Sequence, residues 1–142
     1  MLRALRLVLG ILIVTVVFVG VSLAAEETIE LDFISWSYGV ETVKESIAEF
    51  ETRYPHIKVN YSDFSWFDYH DVAVRRFVAN TPTDVMYGSD HWLQEWAAAN
   101  WIVPLEDYFP NLKEYEKDFA QDAIEGMTYQ GKLYGLPYYA DM

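Results

Sequence analysis

The stretch "LDFISWSYGVETVKESIAEFETRYPHIKVNYSDF", residues 31–64, changes its hydrophobic period twice. It opens inside a run, Thr28 to Trp36, in which Ile29, Leu31 and Phe33 alternate with polar neighbours before Ile34 is added. Alternation with a period of two is the mark of a half-buried strand. From Val40 the period lengthens: Val40, Val43, Ile47, Phe50 and Tyr54 recur at helical spacing, and Pro55 marks the stop. Ile57 to Phe64, "IKVNYSDF", then alternates again. A strand, a helix and a second strand in this order predict a parallel pair joined by a helical crossover.

The unit repeats downstream. Asp68 suits the N-cap of a helix running to Ala79, with Tyr69, Val72, Ala73 and Phe77 inward. "DVMY", residues 84–87, predicts a short buried third strand. Ser89 or Asp90 caps the next helix, to about Asn100, whose inner stripe is Trp92, Leu93, Trp96 and Ala97. Pro104 and Pro110 bracket a loop containing "LEDYF". Asn111 with Glu114 reads as a capping box for one helix ending at Gly126, lined by Leu112, Tyr115, Phe119 and Ala123. Tyr129 to Tyr139 reads as a β-hairpin turning at Gln130-Gly131-Lys132. Three strands, each followed by a helix, give an α/β fold with a mostly parallel sheet and short right-handed connections.

Ligands of such sheets sit beyond the carboxyl ends of the strands. Here those ends read Trp36-Ser37-Tyr38-Gly39, Asp63-Phe64-Ser65-Trp66 and Tyr87-Gly88-Ser89-Asp90-His91-Trp92. Each sets an aromatic ring beside a hydroxyl or carboxylate. That combination suits a sugar: the C–H face of a pyranose packs on a ring, and its hydroxyls need fixed donors and acceptors at the rim. Gly39 and Gly88 are expected to let backbone approach closely. The candidates are therefore Trp36, Ser37, Tyr38, Asp63, Trp66, Ser89, Asp90 and Trp92. Trp92 and Trp96, four apart on a helix, suit a core stripe as well, and Asp68 and Asp90 suit N-caps.

"DYHD", residues 68–71, has an aspartate pair one turn apart with His70 pointing elsewhere, and the three histidines have no metal-ligand spacing. No metal, no cofactor and no nucleophilic catalysis is expected, since neither a GxSxG nor a phosphate-binding glycine loop is present. Two carboxylates among 22 acids leave an exported carbohydrate-active enzyme as an alternative, through Asp63, Asp68 or Asp90.

Aromatic residues make up 17% of the 142 residues, with five Trp and eleven Tyr, more than a core of ordinary composition uses. Arg3 and Arg6 followed by the apolar run Leu7 to Val21 and by Ser22-Leu23-Ala24 predict an export signal over residues 1–25; the longer stretch Leu7 to Ala25 is just long enough for a retained membrane anchor. All 22 acids lie after that segment and two of the ten bases lie within it, so the remainder is more acidic than the whole chain's −12. Such a field repels nucleic acid and anionic membranes and leaves neutral ligands, or a cationic one such as a polyamine. The absence of cysteine excludes disulfides, thiolate metal sites and a lipid-bearing N-terminal cysteine.

Four motifs in order carry a resemblance. They are "LDFISWS" (31–37), "VKESIAEFETRYPHIKVNY" (43–61), "FVANTPTDVMYGSDHWLQEWAAANWIVPLEDYF" (77–109) and "YQGKLYGLPYYAD" (129–141). Together they resemble the extracellular solute-binding proteins of family 1, the sugar-binding components of ABC importers. Two departures stand out: Thr83 is inserted between Pro82 and Asp84, and Asn80-Thr81 occupies a position where glycine is common. Both are expected to alter a turn and leave the fold intact.

The resemblance implies a type II periplasmic binding protein-like fold with two lobes. Residues 26–142 would form an incomplete N-terminal lobe that ends at the inter-lobe crossover, making the chain a fragment of a longer protein. It implies a sugar or oligosaccharide ligand, an ABC transporter permease as partner and a periplasmic or extracellular location. It also implies that Tyr138, Tyr139 and Asp141 face the cleft. A single lobe cannot close over a ligand, so weak sugar binding and self-association of the isolated chain are expected.

Overall fold

The computed structural model describes residues 27–138. The predicted export segment, residues 1–25, and the candidates Tyr139 and Asp141 lie outside the described residues.

Strand β1 (Ile29–Trp36) is followed by helix α1 (Val40–Arg53), strand β2 (Ile57–Phe64), helix α2 (Trp66–Val78), strand β3 (Val85–Met86) and helix α3 (Asp90–Ala98). The three strands form one parallel sheet in the order β2-β1-β3. Ile29 lies opposite Ile57 and Trp36 opposite Phe64, while Phe33 and Ile34 face Val85 and Met86. The central strand comes first in sequence, so the chain steps to one side of it and then to the other.

The period of β1 divides its side chains between two layers. Leu31 and Phe33 face α1, beside Val43, Ile47 and Phe50. Ile34 and Trp36 face α2 and α3, where they form the core with Tyr69, Ala73 and Trp96. That second layer is the better sealed: Tyr69 and Ala73 are fully buried, whereas Val43 is the buried residue of α1. Tyr69 also ties the layer to the sheet. Its hydroxyl donates to the Tyr87 carbonyl at 2.7 Å and lies 3.3 Å from that of Ile34. Burial raises its pKa above the ordinary phenol value, while the bond to Tyr87 pulls the other way.

The start of α2 and the run before the hairpin differ from the expected ones, while the cap of α3 does not. Ser65, not Asp68, caps α2, its hydroxyl accepting from the Phe67 N–H at 3.2 Å. The hydroxyl that ends β2 is already placed to start the helix, and Trp66 becomes the first helical residue instead of a strand end. At α3 the cap is Ser89, and Asp90 reinforces it by accepting from the His91 N–H at 2.9 Å.

The single helix expected over 111–126 is broken into α4 (Leu112–Tyr115), a 3₁₀ turn (Glu116–Asp118) and α5 (Gln121–Gly126). Phe119 and Ala120 are extended, with ψ of 154° and 141°, and Asn111 makes no side-chain cap bond. No glycine or proline announces this break. It accompanies tertiary packing: a Cβ on Gly126 would stand 3.3 Å from Cβ of Asp90 on α3.

The hairpin is present but short, pairing β4 (Thr128–Tyr129) with β5 (Lys132–Leu133). Its turn is Gln130-Gly131, both at positive φ (48° and 79°), and Lys132 is already in the strand. Tyr134, Leu136 and Tyr138 follow outside the ladder. The inserted Thr83 closes the turn before β3, taking a hydrogen bond from Arg76 Nε at 2.8 Å. Asn80 adopts the left-handed conformation (φ 50°) that glycine would otherwise supply after α2.

Candidate ligand-binding site

A cavity of about 890 Å³ opens where β1 and β3 end. This is the point at which the strand order reverses, and neighbouring crossovers leave the sheet on opposite faces there, opening a crevice. The chain segments that leave β1 and β3 line it, joined by α5 and the hairpin tail.

Trp36 occupies the centre and is 8% exposed. Tyr87 stands beside it with ring centroids 5.0 Å apart, and Tyr69 supports it from beneath at 5.4 Å, edge to face. Trp66 meets Trp36 edge-on at 5.1 Å and 87°, and Tyr138 lies 5.3 Å from Tyr87 on the other side. Edge-to-face rings at these separations are mutually stabilising, because the positive ring edge meets the negative ring face. The rings therefore form a connected aromatic surface with Trp66 and Tyr138 at its solvent-facing ends, 42% and 62% exposed.

The polar groups lie around this surface. Ser37 and Tyr38 follow Trp36 along the rim, and Ser89 and Asp90 stand at the start of α3. Asp122, on α5, also lines the cavity. Among the described residues no lysine or arginine lines it, and His91 is the basic side chain in the lining.

Of the sequence candidates, Trp36, Ser37, Tyr38, Trp66, Ser89, Asp90 and Tyr138 line this one cavity. Asp63 and Trp92 do not. Asp63 is exposed and accepts a hydrogen bond from Ser37 Oγ at 2.6 Å, tying the end of β2 to the end of β1. Trp92 lies against Trp66 with centroids 4.6 Å apart and rings tilted by 31°, so it backs the platform instead of presenting a face to the cavity. Of the two glycines, Gly88 lines the cavity and Gly39 does not. Gly39 supplies a left-handed N-cap to α1 (φ 59°) with nothing near its missing Cβ, and a Cβ on Gly88 would make only an ordinary 3.8 Å contact with Trp96.

Tyr87, Asp122 and the tail residues Tyr134 and Leu136 are lining residues that the candidate set lacked. Tyr87 was legible as a residue of the third strand end. Asp122 was not, because the unbroken helix expected over 111–126 gave no reason to turn it inward.

His70 of the "DYHD" stretch pairs across helices, with Nε2 at 3.0 Å from Glu95 Oε2 and Nδ1 at 3.7 Å from Asp71. Among the described residues no group of three or more His, Asp or Glu side chains is placed to hold a metal ion. Nor is any helix among them long and apolar enough to cross a membrane.

Comparison with known proteins agrees with this fold. An uncharacterised lipoprotein in the oleD 5′ region of Streptomyces antibioticus is 23% identical over 138 residues, covering 94% of this chain and 30% of that protein. CpMnBP1, solved with mannotriose bound, superimposes with a TM-score of 0.68 at 25% identity, over 78% of this chain and 28% of its own. The GacH receptor of Streptomyces glaucescens, solved unliganded and with acarbose, gives 0.67 at 25% identity, over 79% and 29%. The sugar-binding protein MalE from Xanthomonas citri has the same fold, with a TM-score of 0.68 at 24% identity. The chain thus spans less than a third of the length of each of the first three. Residues 36–142, from the tryptophan at the centre of the cavity to the last residue, match the family described as bacterial extracellular solute-binding protein, and the chain belongs to that family.

Proposed function

We propose that this chain supplies one wall of a sugar-binding cleft in an exported solute-binding protein that delivers its ligand to an ABC transporter permease. The observation that carries the reading is the aromatic surface Trp66–Trp36–Tyr87–Tyr138, rimmed by Ser37, Ser89, Asp90 and Asp122. Rings take up the apolar face of a pyranose by stacking, and hydroxyls and carboxylates accept from its O–H groups. The lack of lysine and arginine in the lining among the described residues favours an uncharged sugar over an acidic one.

CpMnBP1 and the GacH receptor, which share the fold, are solved with mannotriose and with acarbose respectively. In the proposed mechanism residues 26–142 form an N-terminal lobe, and a second lobe closes over the ligand. Closure removes water from the rim contacts, which strengthens each of them. The role is binding and not catalysis. An exported protein meets its ligand outside the cytoplasm, in keeping with the basic and apolar start of the chain.

Titration of the complete gene product with neutral saccharides, followed by tryptophan fluorescence and calorimetry, tests the reading. Saturable binding with a change in tryptophan emission is expected. Saturable binding of spermidine with no response to any saccharide would replace it with a polyamine receptor. Release of reducing ends from an oligosaccharide would replace it with an enzyme.

A further inference from the structure

We infer that Asp63, which stands outside the cavity, is a positioning residue for it. Asp63 holds the proton of the Ser37 hydroxyl, so Ser37 meets the ligand as a hydrogen-bond acceptor, and this edge of the site selects a ligand hydroxyl that donates. The inference rests on the sugar-binding reading above and specifies how one rim contact reads the ligand.

The pair follows from the sheet. In the parallel register of β1 and β2, Phe33 lies opposite Tyr61 and Ser35 opposite Asp63. Side chains two apart on a strand share a face. The alternation carries one residue past β1, because the Ser37 N–H still donates to the Phe64 carbonyl at 2.7 Å. Two serine hydroxyls therefore reach the neighbouring strand in the same diagonal way. Ser35 Oγ meets Tyr61 Oη at 2.7 Å, and Ser37 Oγ donates to Asp63 Oδ2 at 2.6 Å. The second separation is that of a hydroxyl donating to a carboxylate, about twice as strong as a bond between neutral groups.

The bond is not needed to hold the strand ends together, since the backbone bond from Ser37 to Phe64 already does so. Nor does it cap α1, whose N-cap is Gly39 with no side-chain bond. Ser89, at the end of β3, makes the contrast. Its hydroxyl donates to Asp90 at 3.0 Å, but its oxygen also accepts from the His91 N–H at 3.3 Å, so it serves as a helix cap. Among the described residues nothing donates to Ser37 Oγ.

A serine hydroxyl has one proton and two lone pairs. The proton of Ser37 is committed to Asp63, and Ser37 lines the cavity while Asp63 does not. What Ser37 offers a ligand is its lone pairs. A ligand O–H donating to them completes a chain that runs from the ligand hydroxyl through Ser37 to the Asp63 carboxylate, and each bond in such a chain polarises the next. Asp63 thus strengthens a contact that it does not make itself.

Calorimetric titration of the complete gene product with mannotriose and with maltotriose tests the inference as a double-mutant cycle. Ser37→Ala is expected to weaken binding about tenfold, and Asp63→Ala about threefold, the scales of a charge-assisted hydrogen bond and of its polarisation. In the Ser37→Ala background, Asp63→Ala is expected to change affinity by less than about twofold, because its effect passes through the hydroxyl. Ser37→Thr keeps a hydroxyl and should restore both the affinity and its dependence on Asp63. Monodeoxyfluoro analogues of the saccharide that binds read the direction of the bond, since fluorine cannot donate. One analogue should bind less tightly than its parent to wild type and equally well to Ser37→Ala. A retained circular dichroism spectrum checks that each variant folds. An equal loss from Asp63→Ala with and without the Ser37 hydroxyl would overturn the positioning role and leave the sugar-binding reading standing. An analogue series with no member rescued in Ser37→Ala would overturn the acceptor assignment. Failure of both saccharides to bind wild type would overturn the sugar-binding reading and this inference with it.

Discussion

Trp66 meets Trp36 edge-on, with ring centroids 5.1 Å apart and planes at 87°, although one ring begins a helix and the other ends a strand. The contact divides two roles between chemically identical side chains. Trp36 is 8% exposed and belongs to the core, while Trp66 is 42% exposed and faces the cavity. Substitution is expected to separate them. Trp66→Ala should leave the melting temperature nearly unchanged and weaken saccharide binding by about 1 kcal/mol or more, the scale of an aromatic contact. Trp36→Ala should lower folding stability by about 3–5 kcal/mol, as expected for removing a large aromatic from a core. Chemical denaturation and calorimetric titration of the two variants check the division.

Tyr69 fastens α2 to the sheet through the Tyr87 carbonyl at 2.7 Å. Tyr69→Phe keeps the ring and leaves that carbonyl without the phenol, so a loss of about 1 kcal/mol is expected. Its raised pKa has a definite sign in the pH profile. A phenol that ionises later in the folded state contributes stability that is complete below the unfolded value of about 10. That contribution falls as pH rises from there toward the higher folded-state value. Wild type should therefore lose more stability than Tyr69→Phe across the alkaline range, as read by denaturation at fixed pH steps.

Glu51, near the end of α1, accepts from the Val59 N–H at 2.8 Å and pairs with Lys58 at 3.1 Å, which joins the helix to β2. The hydrogen bond from Val59, with the help of Lys58, holds its carboxyl below the usual range. A lowered folded-state pKa gives stability present above the unfolded value and lost as pH falls through the folded one. Acid titration of stability should be shallower in Glu51→Gln than in wild type, with the difference confined to the region below the ordinary carboxylate pKa.

Glu106 holds the hairpin in place. Its carboxylate accepts from the Leu133 N–H at 2.8 Å, and the neighbouring Asp107 pairs with Lys132 at 3.8 Å. The hairpin leads directly into Tyr134–Tyr138, one side of the cavity. Glu106→Ala is expected to speed amide hydrogen exchange at Leu133, because it removes the acceptor of that N–H. It should also weaken saccharide binding while leaving the sheet amides of β1 protected. Exchange mass spectrometry reads both segments in one experiment.

Much of the arrangement is legible in the residues. The alternation of β1 and β2, the helical stripe between them and the cap at Ser89 are local patterns, and each forms as its period dictates. Placing the site at the strand ends needed only the parallel topology. The misreadings are of one kind. The sequence offered Asp68 as the cap of α2, and Ser65, the hydroxyl nearer the strand, takes that place because the helix starts as soon as the chain leaves the sheet. The run 111–126 has helical spacing throughout, yet it breaks at Phe119-Ala120, where no local residue demands a break.

The sequence by itself determined the three strands with the helices that follow β1, β2 and β3, their parallel sense and the aromatic residues available at the strand ends, because these follow from periodicity and from residue types at short range. Only the tertiary structure decided which rings face the cavity and which support it. Trp92 backs Trp66, Asp63 is spent on Ser37, and Asp122 joins the lining across the break before α5. A ring's exposure depends on what packs behind it, and that comes from segments dozens of residues away, which no local spacing encodes.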